Sequence, residues 1–157
     1  MKYSKINTFM LCAALGMMTA CGGGGQEGGE APAEAPQSMV KKAEADPMEN
    51  TGIGPISELS LPEEIDQEMA AKGAEIYQLK CTACHKPDVK FIGPPPVGVF
   101  ERRNPAWVMN MILNPEQMVK EDPIAKKLLM EFNGSPMANQ NLTQEEARAV
   151  LEYFRTL

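Results

Sequence analysis

The stretch "KCTACHKPD", Lys80 to Asp88, limits this chain more than any other feature. It puts two of the four cysteines and the only histidine within five positions. A structural disulfide needs no histidine, and a tetrahedral zinc site needs a fourth ligand. No second CxxC pair and no second histidine exist to supply one. One chemistry uses all three groups together. Both sulfurs attach a haem through thioethers, and the next residue ligates the iron. A redox-active CxxC of thioredoxin type is the alternative, but it belongs to a βαβ pattern that is absent here.

Composition agrees with a buried cofactor. Aromatic residues make up only 6% of the 157 residues, which leaves a thin core for a domain of about 100 residues. Methionine is frequent, at 12, and its flexible thioether both fills irregular gaps and can ligate iron. The net charge is −6, with no basic block that would suit nucleic acid.

The first 20 residues have the order of a secretory signal peptide. Lys2 and Lys5 come first, then an apolar run from about Phe9 to Met18, then Thr19-Ala20. The apolar run is too short to span a bilayer. Cys21 directly after the small residues resembles the lipobox of bacterial lipoproteins, which implies acylation of Cys21. Two or three acyl chains make a stable anchor, at about 0.8 kcal/mol per buried methylene. Cys12 lies in the discarded apolar run. Residues 21–60 follow as the lipidated cysteine and a tether rich in Gly, Ala, Pro and Glu, of a composition that cannot bury enough surface to fold. Its first 30 residues would reach roughly 30 Å as a flexible chain. The folded domain is expected over 61–157.

Within the domain the patterns are helical. "LPEEIDQEMAAKGAEIYQLK", from Leu61 to Lys80, has an apolar stripe of Ile65, Met69, Ile76 and Tyr77 with Gly73 on the same side. A glycine there costs about 0.5–1 kcal/mol against alanine, so another helix is expected to pack close at Gly73. The C-terminal stretch supplies that helix: Thr143 and Glu146 form a capping box, followed by Ala147, Val150, Leu151 and Phe154. Asn104-Pro105 and Asp122-Pro123 open two shorter helices. "IGPPPVGVF" excludes helix. The class is all-α, with about four helices and long connections.

Cys81, Cys84 and His85 at the end of the first helix, Gly93-Pro94-Pro95, "SPMANQ" and a terminal helix ending "EYFRTL" together resemble a class I monohaem cytochrome c. The resemblance covers about residues 62–157. It implies a small cytochrome c fold wrapped around one covalently bound haem c. Cys81 and Cys84 would be the thioether attachment points and His85 the proximal iron ligand. Met137, in a Gly-Ser-Pro loop ahead of the Thr143 cap, stands where the family places the second axial ligand. Met109, Met111 and Met130 fall in expected helices, and Met118 in a connecting segment remains a rival. Pro94 matches the residue whose carbonyl holds the histidine's other nitrogen. Trp107 and the pair Arg102-Arg103 are either haem-propionate contacts or ordinary core and surface. Phe100 and Ile112 are expected to pack on the haem.

The family resemblance further implies a one-electron carrier rather than an enzyme, with no small-molecule substrate. Its partners would be redox proteins: a quinol-oxidising complex on one side, a terminal oxidase or extracytoplasmic reductase on the other. With the leader and Cys21, the expected location is periplasmic, lipid-anchored to the outer face of a bacterial membrane. A haem enzyme or gas sensor with Met137 unbound, and a fixed subunit of one complex, are the other readings. Lys80, Lys86 and Lys90 surround the motif, although residues 52–157 carry 11 basic and 15 acidic side chains. Such a rim would either steer a redox partner or be ordinary solvated surface.

Overall fold

The computed structural model describes residues 46–157. The signal peptide, Cys12, Cys21 and the tether up to residue 45 lie outside the described residues. Among the described residues there are five α-helices and one 3₁₀ turn, and no strand.

Helices α1 (Gln67–Lys80) and α5 (Gln144–Phe154) make the principal contact. Helix α1 begins later than its proline and glutamates suggest, because Asp66 caps it by accepting the Met69 N–H at 2.9 Å. The run before it, Pro62 to Glu64, bends around the Arg155 side chain and is held by it. That guanidinium donates to the carbonyls of Pro62, of Glu63 at 2.9 Å and of Glu64 at 3.2 Å. Helix α5 opens with the expected capping box: the Glu146 N–H donates to Thr143 Oγ1 at 3.1 Å, and the Thr143 N–H to Glu146 Oε2 at 2.8 Å.

The two helices cross at Gly73, as the sequence predicts. A Cβ there would lie 1.9 Å from the Ala149 carbonyl oxygen, so only glycine permits the approach. One turn on, the Tyr77 ring lies 5.3 Å from Tyr153 and meets Phe154 edge-on at 5.8 Å.

Glu152 of α5 is 1% exposed and ties α5 to the start of α1. Its carboxylate accepts the Asp66 N–H at 2.9 Å and is paired with Arg148 and Arg155. Burial alone would raise its pKa. The Asp66 amide and the two guanidiniums outweigh that and hold it below the usual carboxylate range.

Helix α2 (Pro105–Leu113) starts at Asn104, whose side chain accepts the Ala106 N–H at 2.8 Å. Helix α4 (Pro123–Glu131) starts at Asp122, which accepts the Ala125 N–H at 2.8 Å. Between them stands a helix the sequence reading did not expect, α3 (Pro115–Glu121), entered through another Asn-Pro pair. Met118 therefore lies in a helix rather than a connecting segment, and it is fully buried.

Residues 46–60 correct the expected boundary of the tether. They form a strap held by side-chain amides rather than by an apolar periodicity. Asn110, fully buried, donates to the carbonyls of Thr51 at 2.9 Å and Ile56 at 2.8 Å and accepts the Ile56 N–H at 3.0 Å. Asn104 donates to the Met48 carbonyl at 2.9 Å, and Asn50 to Asp122 at 2.6 Å. The Ile53 N–H donates to the Met118 sulfur at 3.0 Å. Gly52, at φ +78°, lets the strap lie on Met118; a Cβ there would come within 2.8 Å of that sulfur. Ile53, Ile56 and Leu59 pack on the core.

The Glu152 network has a pH signature. Its carboxyl titrates lower in the folded chain than in the unfolded one. Its stabilisation is thus complete above the ordinary glutamate pKa, about 4.3, and is lost as pH falls through the folded value. Glu152→Gln is expected to cost about 3 kcal/mol at pH 7, with the gap to the parent closing on acidification; urea unfolding across pH 3–7 measures it.

Candidate functional site

The motif begins where α1 ends. Cys81 is the C-cap and donates its N–H to the Tyr77 carbonyl at 2.9 Å. The next turn folds back on it: the N–H groups of Cys84 and His85 both donate to the Cys81 carbonyl, at 3.0 and 2.8 Å. Both cysteines are free thiols and both line one crevice together with His85. The loop after the motif is closed by the Gly93 N–H on the Cys84 carbonyl at 2.9 Å and the Val97 N–H on the Pro87 carbonyl at 3.0 Å.

That loop fixes the imidazole. His85 Nδ1 lies 2.8 Å from the Pro94 carbonyl oxygen, the contact the sequence comparison assigns to Pro94 rather than to its proline neighbours. A carbonyl only accepts, so Nδ1 carries the proton and Nε2 keeps its lone pair for a metal. Gly93 makes this possible, since a Cβ there would lie 2.4 Å from His85 Cε1. The Tyr77 hydroxyl donates to the His85 carbonyl at 3.0 Å.

The rest of the lining comes from other elements. Met137, in the segment between α4 and α5, lines both lobes of the crevice. The remaining walls are largely apolar, with Trp107, Met111 and Leu128 common to both lobes. The rival thioethers separate clearly. Met109 is buried in the core and Met130 is exposed, and neither lines the crevice. The Met118 sulfur is occupied by the strap. Met111 does line the crevice, from within α2.

The residues weighed as propionate contacts resolve differently from one another. The Trp107 indole N–H donates to Asp122 Oδ1 at 3.1 Å, inside the protein. Arg102 donates to the carbonyls of Val97 at 2.8 Å and Pro95 at 3.1 Å. Arg103 stacks on the Trp107 ring, 5.5 Å from its centroid, and both arginines border one lobe. Ile112 lines that lobe, whereas Phe100 packs on the core without lining the crevice.

Electrostatics disfavour thiolate chemistry. Burial, then the neighbouring Cys84, pushes the Cys81 thiol up to about 11. A redox-active or nucleophilic cysteine needs the opposite shift. Burial, then Cys81 and Tyr153, likewise pushes the Tyr77 hydroxyl up to about 12. Around the motif, Lys80 lines the crevice. Lys86 donates to the Thr82 carbonyl at 3.0 Å and stands 5.2 Å above the Phe91 ring. Lys90 pairs with Glu131 at 3.0 Å, which offsets part of the basic rim.

A family model described as Cytochrome c matches residues 70–157. The chain belongs to the cytochrome c family. Among solved structures it is similar to cytochrome c from Rhodothermus marinus, with 42% identity over 71% of this chain and 96% of that one and a TM-score of 0.66. An engineered form of that protein, Rma TDE, is 41% identical over the same shares, with a TM-score of 0.66. The same engineered protein bound to a carbene intermediate gives 41% identity and a TM-score of 0.64. A search of curated proteins gave no match.

Cytochromes c hold haem c covalently through Cys-X-X-Cys-His, and Cys81, Cys84 and His85 are arranged as in that motif. The residues present fit the group: two free thiols on the crevice, an imidazole with Nε2 unused, apolar walls, and a glycine where a side chain would displace the imidazole. Gly93→Ala should push His85 off the Pro94 carbonyl and lower the fraction of chains that acquire haem; the ratio of haem absorbance to protein in purified samples checks this.

Proposed function

We propose that this cytochrome c is a membrane-tethered one-electron carrier with His85 and Met137 as axial ligands. The observation that carries the ligand assignment is the pairing of an oriented imidazole with Met137 across one crevice. Haem c supplies a one-electron couple at the iron. The chain's own residues do the rest. Cys81 and Cys84 would hold haem c through two thioether bonds. The Pro94 carbonyl keeps the proton on Nδ1 and makes His85 a better donor. Met137 would supply the second iron ligand, which would raise the potential relative to bis-nitrogen ligation and leave no open site. The apolar walls exclude water, so little reorganises when charge moves. The only histidine is committed to this role, which leaves no evident acid–base partner for catalysis.

Residues 1–20 act as an export signal and Cys21 as the lipidated anchor, which places the domain on the outer face of a bacterial membrane, in the periplasm. The Gly, Ala, Pro and Glu composition of residues 22–45 suits a tether. Its reach is roughly 25–30 Å, from about 5–6 Å times the square root of its length. That range suits a carrier passing electrons between a quinol-oxidising complex and a terminal oxidase or extracytoplasmic reductase. Lys80 and Lys86 favour an acidic docking face on such partners.

Met137→Ala is expected to lower the reduction potential and open a site for carbon monoxide, read by redox titration and a carbon monoxide difference spectrum. An unchanged spectrum would move the assignment to Met111, the other thioether on the crevice. Cys21→Ala should release a soluble domain with normal haem absorbance; retention in the membrane fraction would refute the anchor.

A further inference from the structure

We propose that the buried carboxylate of Asp122, which holds the Trp107 indole, lowers the reduction potential of this cytochrome by its negative charge. The inference rests on the carrier reading above. Trp107 lines both lobes of the crevice, and its indole N–H donates inward to Asp122 Oδ1. Asp122 is 2% exposed. Its Oδ1 also accepts the Ala125 N–H at 2.8 Å, and its Oδ2 accepts Asn50 Nδ2 at 2.6 Å. Three donors and no acceptor face the two oxygens, the arrangement an ionised carboxylate takes.

Capping does not require that charge. Asn or Ser at the start of α4 would satisfy the Ala125 N–H as well, without the cost of burying a carboxylate. What a neutral cap would lack is a negative charge one indole away from the crevice. Taking up one electron, with no proton, makes the iron centre less positive. A buried negative charge therefore stabilises the oxidised form, and with so little exposure solvent screens it weakly. The donors moderate the effect. The indole and the Asn50 amide draw on the carboxylate, and Arg103, 5.5 Å from the Trp107 centroid, opposes it.

Redox titration of haem-loaded variants tests this by sign. Asp122→Asn should raise the midpoint potential, because the charge is gone. Trp107→Phe should lower it, because the charge stays and loses a donor. Asn50→Ala, whose side chain does not line the crevice, should lower it by less. A merely structural role predicts otherwise: Asp122→Asn and Trp107→Phe would both loosen the crevice, admit water and lower the potential. A fall or no change in Asp122→Asn overturns the proposal. Should that variant not load haem, Asn50→Ala decides, with a fall in support and an unchanged potential against. Failure of the carrier reading shows separately, as the absence of a reversible one-electron wave in the parent protein.

Discussion

The close crossing of α1 and α5 is the constraint on which the rest depends. Gly73 brings the α1 backbone against the Ala149 carbonyl, and the Tyr77, Tyr153 and Phe154 rings fill the space one turn further on. At the opposite end, Glu152 holds the Asp66 amide and Arg155 holds three carbonyls of the approach to α1. A helix secured at both ends presents its last turn at a fixed place and angle. That last turn is followed at once by Cys81, so the accuracy of the helix pair becomes the accuracy of the attachment site. Tyr77 belongs to both, stacking on α5 while its hydroxyl holds the His85 carbonyl.

The crevice is assembled from parts far apart in the chain. Part of the lining is a closed loop, residues 81–97, whose hydrogen bonds fix the orientation of the imidazole. Another part is carried by α2, α4 and the segment that bears Met137. The walls are largely apolar, so the crevice suits a prosthetic group held in place with water excluded.

Much of this was legible in the sequence for a simple reason: the informative signals were local. CxxCH names three groups within one turn, the Thr143–Glu146 box spans four residues, and Asn104-Pro105 and Asp122-Pro123 each mark a helix start. Gly73 disclosed a long-range contact only because a mid-helix glycine needs a close neighbour. Helix α3 was missed because seven residues with only Pro115 and Met118 buried offer no period to detect. The strap was missed for a different reason. Its ordering comes from Asn50, Asn104 and Asn110, whose side-chain hydrogen bonds join residues 54 to 72 positions apart. In composition such a segment looks like the tether before it, since polar residues and glycines serve both. The start of α1 was placed early because Pro62 and two glutamates imitate a first turn, while the actual partner of that backbone, Arg155, lies at the far end of the chain.

The strap also decides where mechanical load enters the molecule. Drag on residue 46 is met first by Asn104, then by Asn50, Gly52 and the clasp around Asn110. These holds sit on α2 and on the boundary between α3 and α4, away from the helix that ends at Cys81. A pull on the strap would load α2 and the α3–α4 boundary before it reached the helix that ends at Cys81.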